Sequence, residues 1–201
     1  MKYFLILFVF SSTICTAQDY VQQVRTFRNN YIAEHLIEEH SPIKYKQVKN
    51  LRFYPINEQY KVQAKVIRLD DKKGITMLTH SGKKKSYFKY AKLVFTLNNQ
   101  EQFLYLYQSK QLMQNEEYRD YLFLPYTDDT NYKETFGGGR YIDFIHSDIK
   151  NNTLMLDFNK CYNPYCAYAG GFNCPIPPKE NNLKVKIKAG EKLPANINQE
   201  H

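Results

Sequence analysis

Two aspartates and the amides beside them are the residues of this chain best placed to do chemistry. Asp143 sits in the run Arg140–Phe144 and Asp157 in Thr153–Asn159. Alternation along extended backbone sets Tyr141 and Asp143 against Arg140, Ile142 and Phe144, and Asp157 and Asn159 against Leu154, Leu156 and Phe158. The short turn between the runs suggests a hairpin that would bring both carboxylates to one face. Such a pair shares a proton, binds calcium, or divides the acid and base roles of a hydrolase. Glu134 and Glu180 are further acids that could join it, and Arg140, Tyr141, Asn159, Tyr162 and Asn163 would complete a polar, aromatic hollow for a ligand. The same residues also admit a purely structural reading. Asp157 and Asn159 would fix a loop by hydrogen bonds, and Arg140 would neutralise an acid.

Nearby motifs are weaker. Tyr162, Tyr165, Tyr168 and Phe172 form either a platform for a sugar or peptide or packing over the end of a sheet. Gly137-Gly138-Gly139 before Arg140 could bind an anion through its backbone N–H groups, or could be a tight turn. It precedes a strand and lacks the Lys-Ser/Thr of a nucleotide loop. Cys161, Cys166 and Cys174 leave three readings open: a disulfide, free thiols, or a zinc site that lacks tight spacing and a nearby His. Cys166–Cys174, around the flexible Gly170-Gly171, is the favoured crosslink, with Cys161–Cys166 competing. No Gly-x-Ser-x-Gly or His-Glu-x-x-His is present, and no cofactor or metal motif is recognisable. His35 and His40 do not share a helical face, and His35 with Glu39 reads as a solvated pair.

These groups must be held by a mainly β scaffold. The pattern predicts one helix over 19–40, from Val21, Val24, Phe27 and Tyr31 at helical spacing, capped by Asp19 and stopped at Ser41-Pro42. Alternating runs follow at 60–66, 75–80, 87–97 and 103–107, with further strands at 122–125, 140–146, 153–159 and 183–188. The interval 112–121 is a short helix or a loop. The fold expected is an antiparallel sandwich or open barrel with one amino-terminal helix and an irregular carboxy-terminal strap. Pro175, Pro177 and Pro178 would hold that strap extended along an edge. Residues 18–201 read as one domain, its tail mobile from about 194.

The amino terminus points to export. Lys2, the apolar Tyr3–Phe10 and the small, polar 11–17 have the form of a signal peptide cleaved after Ala17. The apolar run is too short to span a bilayer, so a periplasmic or extracellular protein is expected. The net charge of +8 raises nucleic acid as a partner, but the lysines are dispersed and no reading helix or zinc finger accompanies them. A solvated basic surface, with some affinity for anionic envelope polymers, is the better reading.

Several segments resemble the uncharacterised bacterial and archaeal family known as domain of unknown function 1684. They are KETFGGGRYIDF (133–144), LDFNKCYNPYCAY (156–168), CPIPPKEN (174–181) and IKAGEK (187–192). Residues 41–66 and 92–108 resemble it as well, so the likeness covers nearly all of the chain beyond residue 17. Cys161 stands where the family pattern has alanine, and no family role carries over to it. The resemblance supports the fold and the site list but implies no chemistry. Three functions remain open: an envelope domain binding a small-molecule or polymeric ligand, a carboxylate-dependent hydrolase, or a structural interaction domain.

Overall fold

The computed structural model describes residues 13–195, with side chains from Gln18 onward. The leader's apolar run and the residues beyond 195 lie outside it. Helix α1 (Thr13–Ile37) is longer at its start and shorter at its end than the sequence pattern predicts. Asp19 therefore lies inside it, accepting a hydrogen bond from Gln23 Nε2 at 2.9 Å, and is no cap. The packed face carries Tyr20, Val24, Tyr31 and His35, four or seven residues apart. His35, expected on a solvated surface, is buried with Nδ1 3.0 Å from Ser41 Oγ. Among the described residues no helix is long and apolar enough to cross a membrane. A single turn, α2 (Tyr45–Val48), follows.

The strands are β1 (Lys61–Arg68), β2 (Ile75–Leu78), β3 (Lys84–Leu97), β4 (Gln100–Ser109), β5 (Tyr121–Tyr126), β6 (Arg140–Ile145) and β7 (Thr153–Asp157). They form one antiparallel sheet in the order β6-β5-β4-β3-β1-β7, with β2 also paired to β3, curled into a half-barrel. Asn98 and Asn99 take left-handed backbone at the β3–β4 hairpin, as a two-residue turn requires. The interval 112–121 holds only a 3₁₀ turn, Leu112–Gln114.

Two expectations fail here. The hairpin of β6 with β7 does not form: β7 pairs with β1, and β6 and β7 are opposite edges of the sheet. Residues 183–188 alternate in burial but form no strand. Their backbone groups are taken up singly: Leu183 N–H by Thr127 O, Val185 O by Asp129 N–H, and Ile187 O by Arg140. Residues 193–195 are likewise tied down, Leu193 N–H to Glu134 O and Ala195 N–H to Asn50 O.

One bulge organises the sheet into two chemically different faces. Register along β3–β4 slips between Lys89 and Ala91, leaving Tyr90 as the extra residue. Residues before and after an inserted residue exchange faces. Ala91, Leu93 and Phe95 thus join Leu104, Leu106, Leu122, Leu124, Ile142, Leu154 and Leu156 on an aliphatic face, filled by Phe158, Leu183 and Ile187. Tyr87 turns the other way, into a cluster with Met77, Tyr107, Phe123 and Tyr141, bordered by Tyr121 and Tyr162.

Candidate functional site

β6 carries one charged residue to each face. Asp143 lies directly across from Phe123 on β5, on the aromatic face, beside Tyr121 two residues along that strand. Tyr162 is brought in by a short extension of the sheet, Tyr141 N–H to Tyr162 O at 2.9 Å and Tyr162 N–H to Tyr141 O at 3.0 Å. Tyr121 Oη donates to Asp143 Oδ1 and Tyr162 Oη to Oδ2, each at 2.6 Å, the short length of a charge-assisted bond. Among the described residues no Lys, Arg or His stands within ion-pair distance of this carboxylate.

Asp143 opens onto a groove of about 970 Å³, at the upper end of the range for small-ligand sites. One wall is α1 with Tyr31. The others are β6, β7 at the far edge of the curl, and the segment from Tyr162 to Pro175. Solvent reaches Asp143 through the groove, yet protein surrounds it, and this burial raises its pKa against the lowering effect of the two hydroxyls. Burial also holds Tyr31, Tyr121, Tyr141 and Tyr162 well above the usual tyrosine pKa, so all four are neutral at physiological pH. The rings interlock: Phe123 meets Tyr141 edge-on with centroids 4.7 Å apart, Tyr141 meets Tyr162 at 5.9 Å, and Tyr31 meets Tyr162 at 5.8 Å.

The other residues singled out from sequence do different work. Arg140 is completely buried on the aliphatic face. Its guanidinium pairs with Asp128 at 2.7 Å and donates to the carbonyls of Ile187, Ala189 and Glu191. It is a clamp on the carboxy-terminal segment, not a ligand contact. Asn159 is equally enclosed, donating to Asn57 O and accepting from Asn57 N–H. Asn163 Nδ2 holds Lys192 O. Asp157 borders the groove but is 6% exposed and occupied, accepting from Tyr20 Oη and Asn159 N–H, both at 3.0 Å. Glu134 lies elsewhere, bonded to Tyr54 Oη and 3.5 Å from Lys188. Glu180, the fourth acid considered, pairs with Lys89 at 2.8 Å and accepts from Tyr107 Oη. Only Tyr141, Asp143, Asp157 and Tyr162 of the expected set border the groove, whose lining also includes Lys61, Lys85 and Lys160 and the acids Glu34, Glu38 and Asp148.

The cysteines and glycines also resolve. Cys161, Cys166 and Cys174 are thiols, and the expected Cys166–Cys174 crosslink is not formed. Cys166 Sγ turns to Phe172 O at 3.3 Å, while Cys174 Sγ accepts the Cys166 N–H at 3.2 Å. Among the described residues no cluster of His, Cys, Asp or Glu could hold a metal ion. The glycine triplet is a packed turn. A side chain at Gly137 would overlap the Tyr132 ring, one at Gly138 the ring of His80, and one at Gly139 both Pro177 and Tyr126 O. Residues 174–176 run beside β2, with His80 N–H bonded to Cys174 O and Ile176 N–H to Leu78 O. Of the four rings proposed as a platform, Tyr162, Tyr165 and Phe172 border the groove and Tyr168 does not.

Sequence reasoning missed Tyr31, Tyr87, Tyr121 and Phe123 as site residues. Alternation in YLFLPY (121–126) does put Tyr121 and Phe123 on one face, and that signal was available. Tyr87 was hidden by the bulge.

The architecture is thus a curled antiparallel half-barrel with an amino-terminal helix and an open aromatic groove onto which one carboxylate, Asp143, faces. The pattern of the family described as "Protein of unknown function (DUF1684)" matches residues 46–192, and the chain belongs to that family. Among solved structures it is similar to the uncharacterized protein from gene locus rrnAC0354 of Haloarcula marismortui, determined by solution NMR. The two are 26% identical with a TM-score of 0.65, over 88% of this chain and 96% of that one. No curated protein matches.

Proposed function

We propose that this chain is an exported domain that binds a small molecule, or a unit of an envelope polymer, in the groove between α1 and the aromatic face. Asp143, Tyr141 and Tyr162, joined by Tyr121, make the contacts, and Arg140, Asp157, Asn159 and Asn163 hold the walls. The observation that carries this reading is Asp143: a charged group at the floor of an open groove, held by two neutral hydroxyls and by no cation among the described residues. Protein-observed NMR with a chemically broad fragment library tests it. Fragments should move the resonances of Tyr121, Asp143 and Tyr162 together; a library that perturbs none of them ends the reading.

Export rests on the residue pattern of 1–17. The described side-chain contacts of α1 with the body include those of Tyr20, Arg28, Tyr31 and His35, all beyond Ala17, and cleavage there would leave them intact. Amino-terminal sequencing of protein recovered outside the cytoplasm should begin at Gln18. The hydrolase alternative needs a second carboxylate acting with Asp143, and Asp157 is already committed to Tyr20 and Asn159.

A further inference from the structure

We propose that the ligand of this groove carries a substituted ammonium group, with Asp143 as its counter-ion and the rings of Tyr31, Tyr121, Tyr141 and Tyr162 as its cage. The inference rests on the groove being a ligand site and adds the chemistry of what enters it. Three observations point the same way.

The first is charge. Asp143 is exposed to the groove and lacks an ion-pair partner among the described residues, although the chain as a whole is strongly basic. A carboxylate without a cation leaves a local negative potential that an incoming cation would relieve. The second is hydrogen-bonding capacity. Each carboxylate oxygen has about two acceptor positions, and one tyrosine hydroxyl occupies one on each. The remaining positions can be filled only by a donor.

The third is the rings. Elsewhere some partly exposed rings of this protein carry its own cations: Lys92 lies over Phe103 at 4.2 Å and Arg68 over Tyr90 at 3.2 Å. Among the described residues no such cation covers Tyr31, Tyr121, Tyr141 or Tyr162. Ring faces carry partial negative charge, and several around one carboxylate form a site that favours a cation over a neutral molecule of equal shape. An anionic group placed at Asp143 would meet like charge there, with Lys61, Lys85 and Lys160 elsewhere in the groove lining.

Paired probes differing only in charge test this on the wild-type protein: phenethylamine against phenethyl alcohol, and choline against its neutral tert-butyl isostere. Titration followed by NMR should give the cation of each pair about tenfold tighter binding or better, equivalent to about 1.4 kcal/mol. A preference confined to phenethylamine assigns N–H donation to Asp143; one shared by choline assigns the cage. Asp143→Asn, shown to be folded by its melting curve, should collapse the preference to near unity. Equal binding within both pairs, or a preference that survives Asp143→Asn, overturns the inference. Neutral fragments that occupy the groove while neither cation binds overturn it too, yet leave the proposed binding function standing. Silence from every probe and fragment removes both.

Discussion

Arg140 and Asp143 stand three residues apart on β6, both ionic, one buried and one exposed to the groove, and the fold treats them oppositely. Arg140 points into the aliphatic face, has no exposure, and meets one carboxylate and three carbonyls. Asp143 points into the aromatic face and meets two hydroxyls and an open groove. Buried charges are normally neutralised and fully hydrogen-bonded, because leaving them otherwise costs several kcal/mol. Arg140 follows that rule at both terminal guanidinium nitrogens, as scaffold does, with Nε alone left without a partner. Asp143 falls outside that rule because it is exposed: two hydroxyls hold it, no cation among the described residues pairs with it, and it faces the side of the sheet where the groove opens.

The contrast can be attacked first at its strong end. Arg140→Met keeps volume but leaves Asp128 buried without its cation and frees three carbonyls. The expected loss is about 3–5 kcal/mol in urea unfolding, the usual cost of breaking a buried pair from one side. A loss below about 1 kcal/mol would remove Arg140 from the scaffold and erase the comparison. A second large effect is steric. Gly190 has φ +71°, and a side chain there would overlap Cys161 Sγ and Phe158 O. Gly190→Ala should therefore cost about 2 kcal/mol or more, against about 1 kcal/mol for left-handed backbone alone. A smaller loss would show that the carboxy-terminal segment shifts freely past Cys161.

Glu191 sharpens the comparison from within the scaffold. It is fully buried, accepts from Asn163 N–H and Tyr31 Oη through one oxygen, and has no partner on the other. Burial raises its pKa to about 8, despite the opposing pull of Arg140 on β6; Arg28 and Tyr31 face it from α1. A carboxyl whose pKa is higher folded than unfolded binds more protons in the folded state. Its contribution to stability is present in acid and is lost as pH rises from about 4.5 to about 8. Glu191→Gln should flatten that slope, and be the more stable protein above pH 8 by a few kcal/mol. Parallel stability–pH curves for the two proteins would refute the assignment.

The fold was far more legible in the sequence than the site. Alternation located β1, β3, β4, β5, β6 and β7 because each buries one face in the aliphatic core. It overreached at 183–188, where Leu183 and Ile187 are buried but their carbonyl and N–H partners are a loop and a guanidinium. The hairpin of β6 with β7 came from a short connection. The chain instead carries β7 to the opposite edge, beside β1, a long-range choice that local pattern does not encode. Within the site, Asp143 and Tyr162 could be named from polarity. Arg140 was misplaced among the ligand contacts because a charged residue at a strand start looks exposed until Asp128 and the 187–191 carbonyls are seen around it. Tyr87 could not be placed at all without the register slip at Tyr90.

The smallest effect expected is the most discriminating. Asp143→Asn removes a charge whose pKa burial has raised, so in the folded protein the ionised form is less favourable than in the unfolded chain. By the same sign as for Glu191, that group's contribution to stability falls as pH rises through its folded pKa, and an amide cannot take part in the change. The amide oxygen still accepts from one tyrosine hydroxyl, and the groove hydrates the other. Stability near neutral pH should therefore hold within about 1 kcal/mol or rise, whereas Asp128→Asn, which strips the buried Arg140 of its anion, should lose several. Urea unfolding of the two variants side by side measures the difference directly. If Asp143→Asn proves as costly as Asp128→Asn, then Asp143 is scaffold like Arg140, the tyrosines around it are core, and the groove has no charge held in reserve for a ligand.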